Sequence, residues 1–188
     1  MHIKNLKKFY FIDEFNKDHL KNLSKNTALI YRNYKVKHKE KLINEIKKFC
    51  KTKKVKFFLS NNVKLAIKLR LDGAYIPSFN KNLNVINAKL HKLTLLGSAH
   101  NLSEMNQKKK QMIDLIFFAP VFKVKKKNSY LGIIRFINLS RLNNYNSVAL
   151  GGINHKNINK MKLLNCYGVG SISYVKDELR NKTNEPNR

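Results

Sequence analysis

Two glycine clusters late in the chain have the residue types and spacing to do chemistry. Val148-Ala149-Leu150 runs into Gly151-Gly152-Ile153-Asn154, and a second short apolar run closes as Gly168-Val169-Gly170-Ser171-Ile172-Ser173. Glycine lets backbone N–H groups come close to a ligand, and a loop that opens into a helix places unpaired N–H groups in front of a positive helix end. Gly151, Gly152 and Gly170 therefore read as parts of a phosphate cradle. For either cluster alone, an ordinary turn of an α/β protein is the competing reading. Their occurrence in consecutive units favours a site, and in (β/α)₈ barrels such cradles commonly follow strands seven and eight at the C-terminal face.

Other chemistry is sparse. Cys50 falls in a helical pattern and Cys166 just before a strand, so neither spacing suggests a metal site. Two thiols without a readable export signal suggest a reducing, cytoplasmic setting. The opening stretch is basic and then apolar, but Phe9-Tyr10-Phe11-Ile12 is too short for a signal core and runs straight into Asp13 and Glu14. No segment is long enough to span a bilayer, so no membrane partner is expected.

The formal charge of +28 on 188 residues would by itself suggest nucleic acid. Its distribution argues otherwise. Lysines occur in nearly every segment, whereas the arginines are confined to Arg32, Arg70, Arg135, Arg141, Arg180 and Arg188, and bidentate phosphate or base recognition favours arginine. Asparagine is abundant too, which points to a compositional bias. Most of the charge reads as solvated surface, Lys108 on the far side of its helix included, with no sequence-specific nucleic-acid partner.

The elements that must position the glycine loops follow an alternating rhythm. Short apolar runs at Phe9–Ile12, Ala28–Tyr31, Lys56–Leu59, Ala74–Ile76, Thr94–Gly97, Leu115–Phe118, Ser147–Leu150 and Tyr167–Ser171 read as strands. Between them lie segments of helical or connector length. Lys39 to Lys51 sets Leu42, Ile43, Ile46, Phe49 and Cys50 on one face; Glu14 to Ser24, Val63 to Leu71, Gly132 to Leu142 and Lys156 to Leu164 also read as helices. Asn61 or Asn62 would cap the third helix, Ser103 and Glu104 open the next, and Asn82 to His91 is a weak helix or loop. Eight such units argue for a parallel α/β sheet closed into a single (β/α)₈ TIM barrel over residues 1–176, compact and with short helices. A full barrel usually takes about 250 residues, so insertions must be few. Residues 177–188 read as a polar C-terminal tail, a helical turn and then frayed.

Four motifs in register carry a resemblance. Leu96-Gly97-Ser98-Ala99-His100, Asp114 to Phe122, Ala149 to Ile153 and Gly168 to Ser173 resemble the successive strand ends of the thiamine-phosphate synthase and TenI superfamily, from about Phe9 to Val175. The resemblance implies a transferase that joins an aminopyrimidine diphosphate to a thiazole phosphate with release of diphosphate, in the presence of magnesium. Carried over by position, the arginine after the second strand is kept as Arg32, with Lys35 beyond it. The Asn-Asp pair after the third strand becomes Ser60-Asn61, and the carboxylate after the fourth falls on Asn80. Ser98 is kept, as are Lys127 of the sixth loop, Gly151, Gly152, Ile172 and Ser173. The resemblance thus implies Arg32 and Lys127 as catalytic residues, and Ser60, Asn61, Ser98, Gly151, Gly152, Ile172 and Ser173 as contacts to substrate or phosphate.

The departures have chemical content. Magnesium prefers carboxylates and phosphate oxygens, and both expected carboxylates are the amides Asn61 and Asn80. No cofactor is therefore assigned with certainty and no metal ligand is named. Asp72 and Asp114 stand at strand starts, on the bottom face, leaving Asp13 and Glu14 as the acids that could face the mouth. Neutralising a departing diphosphate would then fall to Arg32, Lys35, Lys123, Lys125 and Lys127. In the sister branch of tautomerases the catalytic histidine falls on Pro120; His100 could serve as an acid or base, but reads better as a residue that positions its loop. Synthase chemistry on phosphorylated pyrimidine and thiazole molecules leads. A catalytically reduced TenI-like barrel that binds thiamine phosphate or a precursor as a carrier or regulator is second, and a basic nucleic-acid-binding module third. Oligomeric state is not legible.

Overall fold

The computed structural model describes residues 6–37, 39–124, 129–143 and 146–184. Eight strands close into a barrel in sequence order: β1 Lys7–Ile12, β2 Thr27–Tyr31, β3 Phe57–Ser60, β4 Gly73–Ile76, β5 Thr94–Ala99, β6 Leu115–Phe118, β7 Asn146–Leu150 and β8 Gly168–Ser171. Every neighbouring pair is parallel, and β8 returns to β1 with Phe9 opposite Gly170 and Tyr10 opposite Ser171. The strands are short apolar runs buried on both faces, the pattern that parallel sheets covered by helices require.

The outer layer is thin. Helices α1 Lys17–Leu20, α2 Glu40–Lys53, α3 Val63–Lys68, α4 Leu102–Lys110, α5 Gly132–Leu142 and α6 Ser173–Asn184 pack around the barrel, and 3₁₀ segments at Leu83–His91 and Ile158–Leu163 take helix positions. The helix read over Glu14 to Ser24 shrinks to one turn, capped by Asn16, whose side chain accepts from the His19 N–H at 3.0 Å. Asn62 caps α3, accepting from Leu65 N–H at 3.1 Å. Asn101 opens α4, accepting from the Glu104 N–H at 2.9 Å, while the Glu104 carboxylate reaches back past the cap to accept from the His100 N–H at 2.7 Å. Through Asn184 the polar stretch after Lys176 is no frayed tail. It continues α6, because Leu179 packs into the core and Glu178 pairs with Lys8 at 2.5 Å.

The barrel interior is filled by aromatic rings. Phe117 meets Phe9 edge to face at 4.9 Å and Tyr75 at 5.6 Å, and Phe11 meets Tyr75 at 5.1 Å. Such contacts add to the burial of each ring, worth about 1.5–3 kcal/mol per side chain, and they give the mouth a rigid floor. At the opposite, bottom end the Asp72 carboxylate accepts from Phe57 N–H at 2.9 Å, and Asp114 accepts from Leu95 N–H at 2.7 Å while pairing with Lys89. These two acids tie strand starts together, far from the mouth. Among the described residues no helix is long and apolar enough to cross a membrane.

Candidate active site at the mouth of the barrel

A cleft of about 840 Å³ opens at the C-terminal ends of the strands. Its cationic side begins with Arg32, just past β2, whose guanidinium carbon stands 4.9 Å from the centre of the Phe11 ring. The apolar floor and the aromatic face orient this charge without neutralising it. Lys123, after β6, is a second described cation on the lining. Tyr34, two residues beyond Arg32, meets Phe79 edge to face at 5.6 Å, and the pair forms an aromatic lip, suited to a flat heterocycle.

On the floor, burial pushes the Tyr75 phenol up to about 12, against the opposing pull of Ser98. Tyr75 therefore stays a neutral hydroxyl at any physiological pH.

The glycine loop is built for close approach. Gly151 and Gly152 have φ of 91° and 71°, and a Cβ on Gly152 would lie 2.5 Å from the Phe122 carbonyl oxygen and 2.7 Å from that of Lys123. The loops after β6 and β7 are thus in backbone contact, reinforced by Phe122 N–H donating to the Gly151 carbonyl at 3.1 Å. Beside this loop α6 begins: Ile172 and Ser173 line the cleft, and Ser171 Oγ accepts from Tyr174 N–H at 3.0 Å. The N-terminus of a twelve-residue helix therefore faces the same space as the paired glycines, an arrangement that favours a phosphate.

Arg32, Ser98, Gly151, Gly152, Ile172 and Ser173 are brought together on this one lining. Ser60 and Asn61 are not on the lining. Ser60 is fully buried, its hydroxyl bonded to that of Tyr34 at 2.9 Å, and Asn61 holds a left-handed φ of 57°. Asn80 Nδ2 donates to Asn61 Oδ1 at 2.7 Å, and Asn80 Oδ1 accepts from the Asn82 N–H at 2.9 Å. Lys125 and Lys127 lie outside the described residues. Lys35, Asp13 and Glu14 are exposed and are not part of the lining.

Two readings need correction. Gly170 is no phosphate contact: it lies inside β8, where a Cβ would meet Leu150 at 3.0 Å, Phe11 at 3.2 Å and Phe117 at 3.3 Å, so it makes room for the aromatic floor. Lys108 is no solvated lysine: it is fully buried, because the alkyl stem turns inward and the ammonium finds carbonyl oxygens of the loop after β4. His100 does line the mouth, and its Nδ1 contacts the Ala119 carbonyl. That acceptor fixes the proton on Nδ1 and ties the end of β5 to the end of β6.

The residues at the expected magnesium positions do not fit the ion. They are neutral amides, and each amide oxygen already accepts a hydrogen bond within the protein. Among the described residues no cluster of three or more His, Cys, Asp or Glu side chains could hold a metal. Tyr34, Tyr75 and Phe79 were not legible as site residues, although each follows or ends a strand whose neighbours were.

Fold and site together define a (β/α)₈ barrel whose mouth suits an anionic, partly aromatic ligand. The chain belongs to the thiamine monophosphate synthase (TMP-TENI) family, whose pattern it matches over residues 17–175. Among curated relatives, the thiamine-phosphate synthase of Methanococcus maripaludis is 26% identical over 185 residues, covering 93% of this chain and 89% of that protein. The thiamine-phosphate synthase of Methanococcus vannielii is 26% identical over 121 residues, which cover 63% of this chain and 59% of that relative's length. A Streptococcus pneumoniae R6 protein named thiamine-phosphate synthase 1 is 29% identical over 142 residues, covering 73% of this chain and 68% of that one. In architecture the chain is similar to a thiamine phosphate pyrophosphorylase from Pyrococcus furiosus, with a TM-score of 0.74 at 19% identity over 96% of both chains. That last likeness speaks for the fold alone.

Proposed function

We propose that this protein joins an aminopyrimidine diphosphate to a thiazole phosphate, giving thiamine phosphate and diphosphate. One observation carries the reading: Arg32 and Lys123 share a single cleft with the paired-glycine loop and the start of α6, in a chain that matches the synthase family over most of its length. In this reaction the bond between the pyrimidine methylene and diphosphate breaks, and the electron pair leaves with the diphosphate. The lone pair of the thiazole nitrogen then forms the new carbon–nitrogen bond.

The residues divide the work. The N–H groups of the glycine loop and of the α6 N-terminus bind the phosphate of the thiazole. Arg32 and Lys123, with Lys127 carried over from the resemblance, face the diphosphate, where negative charge grows as the bond breaks. The Tyr34 and Phe79 lip stacks on the pyrimidine and keeps water from the reacting carbon. No step is assigned to magnesium, since the amides Asn61 and Asn80 bring it no charge.

The test is to incubate the pure protein with both precursors and follow diphosphate release while identifying the product by mass spectrometry. Thiamine phosphate formed in step with diphosphate supports the synthase. Calorimetric binding of thiamine phosphate without any turnover would replace it with the carrier reading, and neither binding nor turnover would remove both.

A further inference from the structure

Lys108, on the inward face of α4, is fully buried. Its ammonium donates to the carbonyl oxygens of Pro77 and Asn80 and to Gln111 Oε1, each at 2.8 Å. An ammonium has three protons and no acceptor, so this set of partners is complete. Gln111 adds two bonds, from Nε2 to the carbonyls of Asn80 at 3.0 Å and Asn82 at 2.9 Å. Three carbonyls of one loop, Pro77–Asn82, are thus gathered by two side chains.

The path of the lysine is also built in. A Cβ on Gly97 would come within 3.1 Å of Lys108 Cδ and 3.0 Å of Ile113, so β5 leaves out a side chain where the stem crosses it. Burying an ammonium costs several kcal/mol unless its protons are matched. Burial draws Lys108 down to about 8 even with Glu104 opposing. An apolar residue at this place would fill the space without that cost, so what the charge contributes is the position of the loop it binds.

That loop has two parts to hold. It presents Pro77, Ser78 and Phe79 to the cleft, and it carries Asn80, whose side chain reaches Asn61 after β3. Two carboxylates at those positions would repel each other and need a cation between them to hold the loops together. Here two amides attract directly, and the cation stands behind the loop.

We propose that Lys108, seconded by Gln111, is an internal cation that positions the loop after β4, fixing the Asn80–Asn61 contact and the Phe79 lip without a metal ion. The role is one of positioning, since Lys108 is not itself on the cleft lining and meets it only from behind, through the Pro77 carbonyl. Its consequence for ligand binding rests on the function proposed above, and the structural part does not.

Hydrogen exchange separates the two. The Asn80 amide donates to the Pro77 carbonyl at 3.1 Å and the Asn82 amide to Asn80 Oδ1 at 2.9 Å, so both report on the loop. The amides of Val121 and Phe122, bonded to Leu150 at 2.9 Å and Gly151 at 3.1 Å, report on the other side of the mouth. In Lys108→Met, exchange at Asn80 and Asn82 should accelerate about tenfold or more while Val121 and Phe122 keep their wild-type rates. Thiamine phosphate affinity should fall about tenfold, and millimolar magnesium should not restore it.

Wild-type protection at Asn80 and Asn82 in a folded variant, or equal acceleration at all four amides, would overturn the proposal. If Lys108→Met does not fold, Gln111→Met removes the donors to Asn80 and Asn82 and is judged by the same four amides. If wild type does not bind thiamine phosphate, the functional reading falls, and the exchange comparison still decides Lys108.

Discussion

Alanine at Gly152 separates what backbone conformation costs from what crowding costs, because Gly132 supplies an internal control. Both glycines have φ of 71°, but a Cβ on Gly132 meets nothing within 4 Å, whereas on Gly152 it lands 2.5 Å and 2.7 Å from two carbonyl oxygens. A left-handed conformation costs an L residue about 1–2 kcal/mol, offset by about 0.4–1 kcal/mol from the stiffer unfolded chain. Gly132→Ala should therefore destabilise by about 1 kcal/mol. Gly152→Ala adds overpacking against backbone that cannot swing aside, worth about 1–3 kcal/mol more, for a total near 2–4 kcal/mol. At about 2–4 °C per kcal/mol for a domain of this size, Tm should fall by about 2–4 °C in Gly132→Ala and about 4–16 °C in Gly152→Ala. Urea titrations of both variants give the same comparison as free energies. Gly152→Asp should in addition weaken thiamine phosphate binding, through charge placed beside the phosphate. Equal losses in the two alanine variants would refute the close contact between the loops after β6 and β7.

Arg32→Ala should lower thiamine phosphate formation by about 10²-fold or more in a single-turnover assay, and Lys127→Ala should lower it much more than the exposed Lys110→Ala; equal rates for the two lysine variants would remove Lys127 from the mechanism. His19 is held below the ordinary 6.5 by burial and by Lys176 and Arg180, and its Nε2 is hydrogen-bonded to the Tyr10 hydroxyl at 2.8 Å. The unfolded chain binds this proton first, so the stability that His19 contributes is present above 6.5 and lost as pH falls through its lowered folded value. His19→Gln should flatten the acid side of a Tm-against-pH curve, and an unchanged slope would count against it. With its formal charge of +28, the protein should bind DNA or RNA weakly, without sequence preference and with steep salt dependence in fluorescence anisotropy; tight, sequence-selective binding at physiological salt would contradict this.

The barrel was legible because each strand is a short apolar run between turn residues, and eight such runs leave one closed topology. Boundaries within a residue or two for β7 and β8 follow from the glycines and asparagines that end them. The first helix was overread because the apolar spacing of Phe15, Leu20 and Leu23 does not show that Asn16 caps a single turn. The mouth was partly legible: Arg32, Ser98 and the glycine pair stand at strand ends, where the fold itself places side chains on the lining. Lys108 was not. Its burial is decided by carbonyls of Pro77 and Asn80, far back in the chain, and by the missing side chain at Gly97. A lysine in the sequence Lys108-Lys109-Lys110 has no local feature that sets it apart, apart from Gln111 three residues on. Gly170 misled for the opposite reason, since a packing glycine and a ligand-facing one look alike until the rings of Phe11 and Phe117 are in place.

The most direct test compares the magnesium dependence of thiamine phosphate formation in wild type and in the double variant Asn61→Asp, Asn80→Asp. Restoring both carboxylates breaks the amide contact and gives a divalent ion two charged ligands, so the variant should need magnesium for turnover. Wild type should form product at a rate that neither added magnesium nor a chelator changes. Fast wild-type turnover that is lost on chelation, with the double variant behaving the same way, would contradict a mouth organised without a metal.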